Sequence, residues 1–241
     1  MEPYQFIGIV LPERAQISIS FGLMFSHSST GYEGKVEVSI INNQIMVRVY
    51  SEADWRVHDL RNVVLNIVQS EIATVSYLIG HAYDIEITRV INGSKKIDYV
   101  FGIDMPCIKE PRKERDVSSE LNKLRHLKAG EHGIHINRCF KDLSFAMRHS
   151  DDTAFYCFRA IEALRHHCAA KLGIGGADKK SQWKKFSDRC GFGEGEIDID
   201  GIREASIRVR HGESLIQSEE EIVTLLQNTW AIVDRYISKL Q

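Results

Sequence analysis

The stretch Pro106-Cys-Ile-Lys-Glu-Pro-Arg-Lys-Glu-Arg-Asp116 separates two kinds of sequence. Two prolines and a dense mixture of both charge signs fit a linker or a helix lead-in. Before it, apolar residues recur mostly at every second position. After it they recur at every third or fourth. A period of two marks one buried face of a sheet, and a period of 3.6 marks one buried stripe of a helix. The boundary therefore predicts an α+β chain in two parts. Residues 1–110 form an antiparallel β-sheet with one long helix packed on it, and residues 111–241 form an all-α bundle.

Backward from the boundary, Lys96 to Ile103 reads as a returning strand, and Asn92-Gly93 offers a type I′ turn after the alternating run Tyr83 to Ile91. One long helix is predicted over 58–80. Leu60, Val63, Val64, Ile67, Val68, Ile72, Val75, Leu78 and Ile79 make one broad apolar stripe, and Gly80 is suited to a left-handed stop. Residues 4–50 read mostly as strands. Gln16 to Phe21 and Lys35 to Ile40 alternate, and Asn42-Asn43 predicts a hairpin into Gln44 to Tyr50. His27, His58 and His81 lie far apart without ligand spacing, so this half shows no catalytic constellation.

Forward from the boundary, helices are predicted over 116–129, 134–149, 150 or 151 to 172, a short 181–190, and 199–211. The third carries Ala154, Phe158, Ile161, Leu164 and Cys168 on one face. The last helix opens with Ser218-Glu-Glu-Glu221, a capping box, and its stripe is Ile222, Leu225, Leu226, Val233, Tyr236, Ile237 and Leu240.

Composition narrows the classes. A chain of 241 residues allows one large domain or two small ones. With 43% hydrophobic and 27% charged residues it can bury a core. Net charge is −2 and the pI about 6.6, so any contact with a polyanion must come from a local patch. Five cysteines, an odd number without a CxxC pair, predict reduced thiols in a cytoplasmic protein, with Cys157 and Cys168 in the helical core. The N-terminus has no signal-peptide pattern. The most apolar window, Val63 to Ile79, contains Asn66, Gln69, Glu71 and Ser76, and reads as amphipathic rather than membrane-spanning.

Four features carry candidate chemistry. Along Arg203-Glu-Ala-Ser-Ile-Arg-Val-Arg-His211-Gly-Glu213 and the preceding Ile202, the residues Ile202, Ala205 and Val209 fall on an inward face. Arg208 and His211, three apart, neighbour each other away from it. Ile207, apolar and outward among the basic residues, suggests a partner surface. Segment 159–189 holds eight basic and three acidic residues beside Trp183, an arrangement that attracts phosphates and offers a ring for stacking. The acidic Glu194, Glu196, Asp198 and Asp200 follow and offset it. His132-Gly-Ile-His135 and His166-His167-Cys168 lack zinc spacing and read as ordinary structural histidines, with no metal expected. Gly173-Ile-Gly-Gly176 follows a helix and lacks the phosphate-loop ending, so it reads as a flexible connector.

Ala154-Phe-Tyr-Cys-Phe-Arg-Ala-Ile-Glu-Ala-Leu-Arg-His-His167, followed by Ile202-Arg-Glu-Ala-Ser-Ile-Arg-Val-Arg-His-Gly212, resembles the HEPN superfamily over roughly residues 134–240. Those helical bundles occur in prokaryotic toxin–antitoxin and phage-defence systems and in some eukaryotic proteins. The resemblance implies a homodimer in which two Arg-x(4–6)-His motifs face each other, and a metal-independent endoribonuclease activity without a cofactor. His211 fits the motif histidine and would move the proton, while an arginine stabilises the phosphate. The residues separated from His211 by four, five and six are Ser206, Ala205 and Glu204. Arg208 is nearer and Arg203 farther. Either a neighbouring arginine substitutes in space or the site is degenerate, which the resemblance links to dimerisation, nucleotide-sensing or scaffold roles. The expectation is a dimeric regulatory module binding RNA, a nucleotide or a protein partner, with an active ribonuclease as the alternative. His211, Arg208 and Arg203 are the candidate catalytic residues, and Arg210, Lys184, Lys185 and Trp183 the candidate phosphate-binding ones.

Overall fold

Alternation in the first fifty residues becomes four strands, β1 (Tyr4–Leu11), β2 (Ile19–Ser26), β3 (Glu33–Ile41) and β4 (Gln44–Tyr50). Helix α1 (Val57–Ile79) and strands β5 (Asp84–Asn92) and β6 (Ile97–Val100) complete an antiparallel sheet of order β2-β3-β4-β1-β5-β6. The computed structural model describes residues 2–27, 30–192, 198–212 and 219–240. It divides into two compact units, 1–103 and 104–241.

In the first unit, Phe6, Val36, Val38, Val47, Val49 and Ile87 are among the sheet residues that share one core with Leu60, Val64, Val68 and Ile72 of α1. The four helix residues are spaced by fours, one face of a helix. Each fully buried aliphatic side chain contributes roughly 1.5–3 kcal/mol. Asn42 and Asn43 adopt φ of 48° and 68°, as the β3–β4 hairpin requires. Asn43 is also buried. Its Oδ1 accepts from the Ile17 N–H at 2.7 Å, and its Nδ2 donates to the Val10 carbonyl at 3.1 Å, which ties the β1–β2 connection to the hairpin.

Two local expectations change. Between β5 and β6 the chain makes a four-residue loop, Gly93 to Lys96, with the positive φ of 54° at Lys96. The Asn92 Oδ1 accepts from the Lys95 N–H at 2.8 Å, a side-chain turn that competes with the tight type I′ form. The stripe of α1 also outruns its sheet. A helix of 23 residues is about 34 Å long, whereas strands of seven to nine residues reach about 23–31 Å. Burial accordingly stops at Ile72, and Tyr77, Leu78 and Ile79 stand in the open, Tyr77 at 85% exposure. Among the described residues, α1 is the helix long and apolar enough by composition to cross a membrane, and its buried residues dock on the sheet.

The second unit starts with α2 (Pro106–Lys109) and a 3₁₀ turn (Glu110–Arg112). The charged boundary run belongs here, in a unit that begins at Asp104, seven residues before the expected start at 111. Ile108 is buried in the helical core, and Arg112 and Arg115 both pair with Asp234. Helices α3 (Val117–Ala129), α4 (Gly133–Arg148), α5 (Thr153–Lys171), α6 (Lys179–Cys190), α7 (Ile199–Arg210) and α8 (Glu219–Ser238) follow. Helix α5 is buried nearly all round, as a central helix must be, and packs on α4, α6, α7 and α8. Asp116, Asp178 and Asp198 cap α3, α6 and α7 by accepting free backbone N–H groups. All five cysteines are free, with Cys139, Cys157, Cys168 and Cys190 buried. The expected capping residue Ser218, together with Glu194, Glu196 and Glu213, lies outside the described residues.

Candidate functional site

Helix α7 buries Ile202 and Ser206 and packs against α5. That anchoring leaves Arg203, Arg208, Arg210 and His211 exposed. His211 ends the helix; its N–H bonds the Ile207 and Arg208 carbonyls at 3.1 and 3.2 Å, and Gly212 follows at φ 73°. Arg203 lies 3.7 Å from Asp200, an exposed pairing of little energetic weight. Ile207 is half-buried, less outward than the helical wheel suggested. Ser206, separated from His211 by four residues, is 1% exposed, so that position faces the bundle core. Among the described residues no side chain hydrogen-bonds to the His211 ring.

Helix α6 splits the other candidates. Lys184 and Lys185 are exposed. Trp183 is partly buried, stacked on Phe158 with centroids 5.8 Å apart, edge-on to Phe186, and with the Arg165 guanidinium 5.2 Å from its ring centre. These contacts make it a packing residue. Arg165 is itself 2% exposed. It donates to the Gln182 Oε1 and to the His166 Nε2, the latter at 2.9 Å, and its Nε has no hydrogen-bond partner. A guanidinium only donates, so the His166 Nε2 must carry a lone pair. Gln182 in turn donates to the carbonyls of Gly175 at 3.1 Å and Ala177 at 2.8 Å. The glycine segment expected to be a flexible connector is thereby held to α6.

The two histidine groups, separate in sequence, meet in space. His135 of α4 and His166 of α5 stack with ring centroids 5.9 Å apart. His126, His132 and His167 line one cavity with Lys171. Gly133 permits this junction, because a Cβ there would collide with the Lys128 carbonyl at the end of α3. Burial, and then the neighbouring positive groups, push the pKa of His135 and His166 down. His167, whose Nδ1 is 2.8 Å from the Tyr236 hydroxyl, is pushed down to about 4, again mainly by burial. Among the described residues no group of three or more His, Cys, Asp or Glu side chains has metal-binding geometry.

One polar pair escaped the sequence reading. Asp142 of α4 is 1% exposed, with its Oδ1 3.0 Å from the Arg159 Nη2 of α5 and its Oδ2 without a hydrogen-bond partner. Burial pushes its carboxyl pKa up against the pull of Arg159. Arg159 also lies over the rings of Phe155 and Tyr156, at 5.1 and 5.5 Å. The available signal was position. Asp142 and Arg159 lie nine and eight residues from Asp151 in the α4–α5 connection, and His135 and His166 lie 16 and 15 residues from it. An antiparallel helical hairpin brings such mirrored positions together.

A family model described as the C-terminal domain of a domain of unknown function, DUF8168, matches residues 121–241. The model of the corresponding N-terminal domain matches residues 4–101. No curated protein and no solved structure matches the chain.

Proposed function

The chain belongs to the DUF8168 family, and we propose that it is a HEPN-like cytoplasmic regulatory module that pairs with a second copy through its helical unit and binds RNA or a nucleotide at the C-terminal end of α7. The observation that carries this reading is the exposure of Arg203, Arg208, Arg210 and His211 on one helix whose other side is anchored by Ile202 and Ser206. Four basic groups on a fixed support suit phosphate contacts, and a local patch is what a chain of net charge −2 needs for a polyanion. A role in a prokaryotic defence or toxin system comes with the HEPN resemblance, and a protein partner fits the half-buried Ile207.

Binding is favoured over catalysis by the setting of His211. A histidine that moves protons is held in place by a third group, and among the described residues none bonds its ring. Ser206 also faces the core at the position separated by four. The second reading, a metal-independent endoribonuclease, draws on the proximity of Arg208 to His211 on the same exposed helix end.

The test is incubation of a mixed structured RNA with wild type and His211→Ala in EDTA, alongside fluorescence anisotropy on the same RNA. A binding module leaves the RNA intact and binds it salt-dependently, and Arg210→Ala lowers the salt slope by about 1. Cleavage by wild type that falls about 10²–10⁴-fold in His211→Ala selects the ribonuclease instead. Ile207→Asp buries two charges across a two-fold contact and dissociates the dimer. A wild-type monomer at micromolar concentration by light scattering refutes the pairing.

A further inference from the structure

Where the last turn of α3, the connection Gly130 to His132 and the end of α5 meet, the helical unit holds a cavity of about 260 Å³. That is below the roughly 300 Å³ at which sites for drug-sized ligands begin, and suits a compact group. The polar lining is His126, His132, His167 and Lys171 against one acid, Glu131. The Glu131 carboxylate lies 3.4 Å from the His132 Nε2 and is directed largely to solvent. The Nδ1 of His167 is engaged by Tyr236, so Nε2 is the ring nitrogen left to the cavity. A cation would meet Lys171, and the lining lacks convergent metal-ligand geometry. Hydrogen-bond donors around one fixed positive charge suit an oxyanion.

We propose that this cavity binds a phosphoryl group, either as free phosphate or as the terminal phosphate of a small monoester. Lys171 supplies the permanent charge, and His126, His132 and His167 donate N–H bonds to the oxygens. The site uses none of the residues assigned on α7 and stands apart from that reading. Binding also takes up protons, because a dianion favours the charged imidazole. The groups facing His167 are Lys171 on α5, His132 and His135 on α4 and its connection, Arg189 on α6 and Tyr236 on α8. Those facing His166 are Arg165, Glu162, His135 and Lys179. Cations outnumber acids around both of these rings, so a bound dianion relieves repulsion that protonation alone would create.

The experiment is calorimetric titration of the full chain with sulfate, which stays dianionic, and with inorganic phosphate, at ionic strength fixed by sodium chloride. Wild type should bind one anion per chain, about tenfold more tightly at pH 6 than at pH 8 if one imidazole is charged on binding. Lys171→Met should weaken binding at least about tenfold and His126→Gln several-fold, while Lys123→Met leaves it unchanged. All three positions are exposed, so circular dichroism should show wild-type folding. A nucleoside monophosphate binding more tightly than phosphate identifies a monoester occupant, and equal affinity identifies free phosphate. No saturable heat, or an affinity unaltered by Lys171→Met, overturns the proposal. RNA anisotropy on the same variants reports separately on α7.

Discussion

Acid should loosen the helical unit through His167, by an amount that follows from its burial. The ring is 4% exposed, and its pKa is held down to about 4 from an ordinary 6.5. A base whose folded pKa lies below its unfolded value binds fewer protons folded than unfolded between the two. Its contribution is fully present above about pH 6.5 and is lost as pH falls toward about 4. The depression corresponds to about 3 kcal/mol in full, of which about 2 kcal/mol disappears between pH 7.5 and 5.0. His167→Gln keeps a partner for the Tyr236 hydroxyl and cannot titrate. Urea unfolding followed by far-ultraviolet circular dichroism, at both pH values, should therefore show wild type losing about 2 kcal/mol more than the variant. Equal losses in the two proteins would refute the reasoning, since His167 would then carry the same proton affinity folded and unfolded.

Other perturbations test other parts of the structure. Asn43→Ala strands the buried Ile17 N–H and leaves at φ 68° a residue without the short polar side chain that makes asparagine tolerant of that region, so the N-terminal unit should lose about 3–4 kcal/mol in urea unfolding, and Asn43→Gly about 1 kcal/mol less. Asp142→Ala leaves Arg159 without its buried partner and should cost about 3 kcal/mol, while the isosteric Asp142→Asn stays within about 1 kcal/mol; a reversed order contradicts the burial argument. Gln182→Ala releases the carbonyls of Gly175 and Ala177, and thermolysin should then cut within 172–178 about tenfold faster, read by mass spectrometry.

Periodicity made most of the fold legible. The alternations around Asn42-Asn43 and the three-four spacing from Leu60 to Ile72 are local signals, and each is realised as a buried face. The misreadings came where a non-local length or a competing side chain decided. Leu78 and Ile79 continue a perfect stripe, and only the length of the strands beneath exposes them. Asn92 uses its side chain to build a longer loop than Asn92-Gly93 predicts. Pro106 to Asp116 fits either a linker or a helix lead-in by its prolines and charges, and the second holds, because a short helix and a 3₁₀ turn form there and Asp234, more than a hundred residues away, claims two of its arginines. At the candidate sites, exposure on α7 followed from the helical wheel. Trp183 looked available beside lysines, but Phe158 and Arg165 occupy it. The histidines looked like two unrelated groups because convergence depends on which helices pair, and the mirrored distances from Asp151 acquire meaning only once α4 and α5 are known to be antiparallel.

Those mirrored pairs also guard the alignment of the two helices. Asp142 and His135 are seven residues apart on α4, and Arg159 and His166 seven apart on α5, two helical turns in each case. Aliphatic seams spaced in sevens tolerate sliding by one repeat, since each apolar side chain finds another apolar neighbour. The polar pairs do not. Sliding one way sets Asp142 against His166 and withdraws its guanidinium; sliding the other way sets Asp142 against Asp152 and Arg159 against His135. Each misfit buries an unbalanced charge, which costs several kcal/mol where a slipped leucine would cost almost nothing. Two unlike polar contacts thus work as a two-point key, accepting one alignment of α4 with α5, whether the helices come from one chain or are exchanged between two.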